Sequence, residues 1–210
     1  MSTFWDRKEK PIVAIVFALP FFWMLASLFM GRYFPDPGKL LMPLSGSWAG
    51  VAVVSVLALT PLARIKALKV LSRYHRFVGL TAFFYSLLHL VIYLVLFAGL
   101  SWSWISSDLI EKPYIYAGVL ALVIFFLLAI TSTKKMMRRL GKDWKKLHRF
   151  IYLAALAVIA HLWWQVKSDV STALWFSVFL VPLLVMRWEQ FPVLKRLFKK
   201  NKESVKKCLR

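Results

Sequence analysis

Four histidines, His75, His89, His148 and His161, are the side chains best placed to do chemistry near neutral pH, and they fall as two pairs. His75 and His148 each sit in a basic run, Arg73-Tyr74-His75-Arg76 and Lys145-Lys146-Leu147-His148-Arg149. His89 and His161 lie inside stretches that carry no charge at all. The separations within the pairs are 14 and 13 residues, which at helical rise span roughly 21 and 20 Å. If both segments run in the same direction, the histidines occupy two levels, one at the basic side and one deep in or across the apolar layer.

A planar macrocycle between facing helices needs one imidazole from each side at matching height. His89 with His161, and His75 with His148, have that arrangement, which is the ligand set of a bis-histidine haem b. Neutral imidazole suits iron, and filling both axial positions favours electron transfer over oxygen binding. Arg76 and Arg149, next to the inner ligands, are suited to pair with haem propionates. Helical phase supports one pair and strains the other. A 14-residue step returns to within about 40° of its starting face, whereas a 13-residue step ends about 140° away. The expectation is that His148 stands in the first turn of its helix or just outside it, where the loop sets its direction. Other readings stay open: a histidine in a membrane helix can simply bond a neighbouring helix, and one beside a basic loop can simply be solvated. A proton relay is a third, although no Asp or Glu lies in the apolar segments to continue one.

The elements that must position these side chains are apolar. Of 210 residues 60% are hydrophobic and 18% charged, against about a quarter charged in an ordinary soluble fold. Six stretches lack Asp, Glu, Lys and Arg altogether: 11–31, 40–63, 77–107, 113–133, 150–166 and 170–186. About 20 apolar residues cross a hydrocarbon core of roughly 30 Å. The expected fold is therefore an all-α membrane protein with one domain over 1–210. Its six transmembrane helices are predicted at about 11–31, 45–63, 74–98, 113–133, 148–167 and 170–187, with haem held between the third and fifth.

Net charge is +20, and the 29 Lys and Arg are not spread evenly. Three precede the first segment, five lie between the second and third, eight between the fourth and fifth, and nine follow from Arg187. The alternate connections hold only Arg32, Lys39, Lys112 and Lys167. This asymmetry predicts cytoplasmic termini in a bacterial inner membrane. Trp102, Trp104, Trp163 and Trp164 suit an interfacial aromatic belt. The first segment is read as a retained anchor, because it is longer than a usual signal core and lacks a clear cleavage site. The tail 188–210 is expected to be cytoplasmic and to touch anionic lipid. Nothing points to nucleic acid as a partner. A single cysteine, Cys208, excludes an intrachain disulfide or a thiol-built cluster. There is no glycine-rich phosphate loop and no nucleophile elbow.

The third and fifth segments resemble the haem-binding core of the ferric reductase-like transmembrane family, which includes NADPH oxidases. The likeness runs over nearly the whole chain. It rests on Leu59-Thr60-Pro61-Leu62-Ala63-Arg64, Val78-Gly79-Leu80, Leu88-His89-Leu90, Tyr93 and Lys112-Pro113-Tyr114, then Thr131-Ser132-Thr133, Arg139-Leu140-Gly141, Trp144, Leu147-His148-Arg149 and Tyr152-Leu153. Within that family it most resembles the haem-bearing membrane subunits of systems that repair methionine sulfoxide in periplasmic proteins. The resemblance implies electron transfer by b-type haem, with FMN as an additional cofactor, and the two histidine levels point to two haems. It implies electrons taken from the quinone pool or a cytosolic flavin reductase. It implies delivery to a periplasmic molybdopterin reductase, on which the catalytic chemistry would reside. Ligand roles carry over to His89, His148 and His161. At His75 the repair subunits often have a basic residue, while oxidase and ferric reductase relatives have histidine. A free-standing ferric reductase or oxidase is the first alternative, and a histidine-based metal or proton transporter the second.

Overall fold

The computed structural model describes residues 10–32, 34–166 and 169–186. The expected basic tail, Cys208 and Lys167 fall outside the described residues.

Among the described residues the secondary structure is helical throughout. Helix α1 spans Lys10–Phe29 and α2 spans Gly38–Leu62. A 3₁₀ segment, Lys66–Tyr74, leads into α3, His75–Ile92, which ends in a π-helical turn, Tyr93–Phe97. Next come α4 (Trp102–Glu111), α5 (Tyr114–Thr131), α6 (Lys134–Leu140), α7 (Lys142–His148), α8 (Phe150–Gln165) and α9 (Ser171–Val185). Five helical segments are long and apolar enough to cross a membrane: Ile12–Phe29, Gly38–Leu62, Leu68–Phe97, Tyr114–Thr131 and Lys142–Gln165. Helix α9, with 15 residues, is shorter than the roughly 20 that a span needs.

Three features depart from the sequence expectation. Helix α2 begins at Gly38, ahead of the expected position near 45. Pro37 stands before it at φ −64°, the value a helix start requires, and Pro43 removes only one backbone bond from the ladder. The loop after α3 contains the helix α4. The basic loop before α8 folds into α6 and α7, which meet at Gly141 with φ +51°, a backbone setting that favours glycine.

The core is four helices in two tight pairs, α2 against α3 and α5 against α8. The pairs join where α3 meets α5, and α9 closes the far side against α8 and α2. Small residues make the close approach possible: Ala52, Ala82, Ala154 and Ala155 are all fully or almost fully buried. Helix α1 docks through Tyr85, whose hydroxyl donates to the Phe17 carbonyl at 2.6 Å, and through Phe21 against Phe84. The outer faces stay apolar. Val119, Val123 and Phe126 on α5, with Val178 and Phe179 on α9, are exposed, as expected of helices that face lipid. Hydroxyls inside these helices donate back to the preceding turn, as Thr81 does to Phe77 and Ser86 to Ala82, so they bring no unpaired donor into the layer.

Connectivity puts the 3₁₀ segment, α6 and α7 at one end of the bundle and α4 at the other. The histidines therefore separate by level: His75 and His148 at the end that carries the basic connections, His89 and His161 toward α4.

Candidate functional site

His89 on α3 and His161 on α8 face each other across the outer half of the bundle. Their ring centres are 6.3 Å apart and the planes cross at 85°. Metal–imidazole bonds are about 2 Å long, and each ring centre lies about 1 Å behind its nitrogen. One metal between two facing rings therefore separates the centres by about 6 Å, close to the spacing observed.

The hydrogen bonds also fit. His89 Nδ1 lies 3.1 Å from the Met42 carbonyl oxygen, with Ser45 Oγ at 3.2 Å. His161 Nδ1 lies 2.8 Å from the Tyr114 carbonyl oxygen. A carbonyl only accepts, so Nδ1 is the protonated nitrogen in both rings and the lone pair is on Nε2. That is the tautomer in which a histidine presents Nε2 to a metal. Both carbonyls belong to neighbouring helices, α2 and α5, so the backbone of the second helix in each pair orients the imidazole on the first.

The inner pair is built differently. His75 is the first residue of α3. His148 is the last residue of α7, separated from α8 by Arg149. The 13-residue phase mismatch disappears for this reason, since the helix carrying His161 does not begin until Phe150. Both rings line a cavity of about 920 Å³, in the size range of small-molecule and cofactor sites. Arg73, Arg76, Lys145 and Arg149 supply positive charge around it, and Leu57, Leu80, Phe125 and Leu128 supply apolar wall. Trp144 lies over the His148 ring at 4.0 Å, tilted by 30°, and its indole nitrogen donates to the Thr131 carbonyl at 3.0 Å. Thr131 Oγ1 donates to Leu127 at 2.7 Å and lies 3.3 Å from His148 Nε2. Here Nε2 is already engaged, unlike in the outer pair.

Haem is the group to test against these residues. A bare ion needs three or four protein ligands, and among the described residues no three His, Cys, Asp or Glu side chains come together. A porphyrin brings four nitrogens of its own, so two imidazoles complete it. The outer ligand spacing, the freed Nε2 atoms and the cationic inner cavity all fit such a group.

Above the outer pair, Tyr93 donates to Asp108 at 2.9 Å and Lys112 donates to the other carboxylate oxygen at 2.6 Å, which fastens α4 to the end of α3. Lys112 holds the Asp108 carboxyl below its ordinary range, and Asp108 raises Lys112 in return. Tyr114 packs its ring 5.6 Å from that of His161. Trp102, Trp104 and Trp164 are exposed.

The sequence reading missed several of these residues. Met42 and Tyr114 act through backbone carbonyls, which no side-chain pattern reveals. Trp144, Tyr93, Lys112 and Tyr114 stood out only as parts of family motifs.

Comparison with known proteins decides the family. Residues 45–159 match the ferric reductase like transmembrane component. Curated relatives carry the name protein-methionine-sulfoxide reductase heme-binding subunit MsrQ. The protein of that name from Pectobacterium atrosepticum is 34% identical over 88% of this chain and 94% of its own length. The one from Xanthomonas axonopodis pv. citri is 38% identical over 74% of this chain and 72% of its own. The chain belongs to the MsrQ family of ferric reductase-like transmembrane proteins. A multi-pass membrane protein follows from that membership together with the five long apolar helices. The matched region contains His75, His89 and His148 and stops two residues short of His161. No solved structure matches the chain.

Proposed function

We propose that this protein carries electrons across the bacterial inner membrane through two b-type haems. The outer one is held by His89 and His161 and the inner one by His75 and His148. Electrons arrive at the cytoplasmic face from the quinone pool or a cytosolic flavin reductase. They leave at the periplasmic face for a molybdopterin methionine sulfoxide reductase, MsrP, that repairs oxidised proteins. The observation that carries this reading is the outer pair, two imidazoles 6.3 Å apart with both Nδ1 atoms tied to carbonyls and both Nε2 atoms left for iron.

When bound, haem would supply a one-electron couple, with His89 and His161 holding it at the outer level. The chain does the rest. Met42 and Tyr114 fix the ligand tautomer, and buried Leu41, Tyr85 and Ile92 help to exclude water from this half of the bundle. Arg76 and Arg149 offer guanidinium groups to propionates at the inner site. Histidines on two levels roughly 20 Å apart allow transfer across most of the apolar layer, which one level would not. The charge asymmetry of the connections supports six spans with cytoplasmic termini. FMN stays in this reading as a further cofactor on the family resemblance alone. His75 favours one second reading, a ferric reductase or oxidase-type protein.

The test supplies purified, haem-replete protein and membrane vesicles with each donor in turn. Haem reduction followed by electron delivery to the periplasmic reductase supports the reading. Delivery to ferric iron or oxygen, and not to that reductase, favours the second. A flavoprotein docked by charge should lose rate as ionic strength rises, whereas quinol from the bilayer should not.

A further inference from the structure

We propose that Gly46 and Gly118 are positioning residues that set the rotation of the two outer imidazoles, as two copies of one device. The inference rests on His89 and His161 being haem ligands, and adds what orients them.

Each imidazole lies on a single turn of the neighbouring helix. On α2 the turn runs from Met42, whose carbonyl takes the His89 proton, to Gly46. On α5 it runs from Tyr114, whose carbonyl takes the His161 proton, to Gly118. In both turns the acceptor is at position i and the glycine at i+4, so they sit one above the other on the same helix face. The ring covers both. A Cβ at Gly46 would stand 3.0 Å from His89 Cε1 and 3.2 Å from Nδ1. A Cβ at Gly118 would stand 2.9 Å from His161 Nδ1 and 3.1 Å from Cε1. The neighbour that would have to move is not the loose end of a long side chain. It is a ring held by its Nδ1 bond on one side, and haem iron would hold it on the other.

The two cradles lie on different helices, so they fix the two ring planes independently, and the result is the 85° crossing. Ring orientation is a property of the iron as well as of the protein. Axial imidazoles with crossed planes give low-spin ferric haem a highly anisotropic electron paramagnetic resonance signal, and nearly parallel planes give a rhombic one. Support of this kind around a metal ligand typically changes affinity by roughly 10–100-fold.

Gly50 provides a matched comparison on the same helix. A Cβ there would stand 2.6 Å from Phe176 Cε1, a closer approach than at either cradle, but onto a residue that ligates nothing.

The experiment records the ferric spectrum and midpoint potential of the purified full-length holoprotein and of Gly46→Ala, Gly118→Ala and Gly50→Ala. The outer signal is assigned as the one that disappears in His89→Ala. The expected wild-type outer signal is highly anisotropic. Gly46→Ala and Gly118→Ala should each change it to rhombic or high-spin, shift the outer potential, or lose the outer haem while keeping the inner one. Gly50→Ala should lower thermal stability and leave the outer signal as in wild type. A rhombic wild-type outer signal overturns the inference without any glycine variant. So does an unchanged signal in both cradle variants, or an equal change in Gly50→Ala. Wild-type protein without haem would instead refute the functional reading on which this rests.

Discussion

The outer and inner histidine pairs have nearly the same spacing in the chain but very different support in the fold. His89 and His161 lie inside helices, each tied to a backbone carbonyl of a partner helix and laid on a glycine. His75 and His148 stand at element ends, where a 3₁₀ segment becomes α3 and where α7 stops before α8. Helix backbone holds the outer imidazoles, and indole and hydroxyl side chains hold His148. On the proposed haem reading, the comparison teaches that the outer site is built before its cofactor arrives, while the inner site must adjust, because His148 Nε2 begins in contact with Thr131.

The largest expected effect breaks the comparison from the outer side. His89→Ala or His161→Ala should remove the outer haem and reduce delivery to a periplasmic acceptor to background, beyond the roughly 10–100-fold that losing an outer-shell partner costs. Acceptor reduction in vesicles and haem per chain measure this together. At the inner level, His148→Ala should empty the site and leave the outer spectrum intact, whereas His75→Ala should retain a substantial part of the rate. Equal loss in the two variants would mean that the inner ligands are as symmetric as the outer ones.

A finer change addresses the side-chain support of the inner ligand. Trp144→Leu removes the ring over His148 and the donor to Thr131. Inner haem affinity should fall by about 10-fold, at the low end of outer-shell effects, with the outer haem unaffected. Haem retention during dialysis, read separately at the two spectra, reports it.

How much of this was legible beforehand follows the same division. The two levels, the shared direction of the third and fifth segments and the place of His148 in or just before the first turn of its helix followed from charge, spacing and 3.6-residue geometry. The devices that aim the rings did not. Met42 contributes an atom that every residue has, and Gly46 contributes the lack of one, so neither changes a hydrophobic pattern. Helix α4 was hidden within an apolar run, and α6 and α7 within a basic one. In such segments composition is dominated by the membrane and by topology, and helical periodicity has little contrast to show.

The smallest expected effect concerns the polar fastening over the outer pair. Asp108 has its pKa lowered on folding, so its contribution is complete above the ordinary value of 3.8 and disappears as pH falls through the lower folded value. Lys112 has its pKa raised, so its share is complete below the ordinary value of 10.5 and disappears as pH rises through the higher folded one. Asp108→Asn should cost about 1 kcal/mol, since Lys112 is partly exposed. It should also flatten the acid limb of stability against pH. Thermal unfolding of variant and wild type from pH 3 to pH 7 checks both.

The central claim is that this chain holds haem at two levels, and stoichiometry tests it most directly. Pyridine haemochrome analysis of fully loaded wild-type protein should give two b-type haems per chain, falling to one in His89→Ala with the inner spectrum preserved. A wild-type preparation that saturates at one haem, or that binds none with haem in excess, would contradict the account.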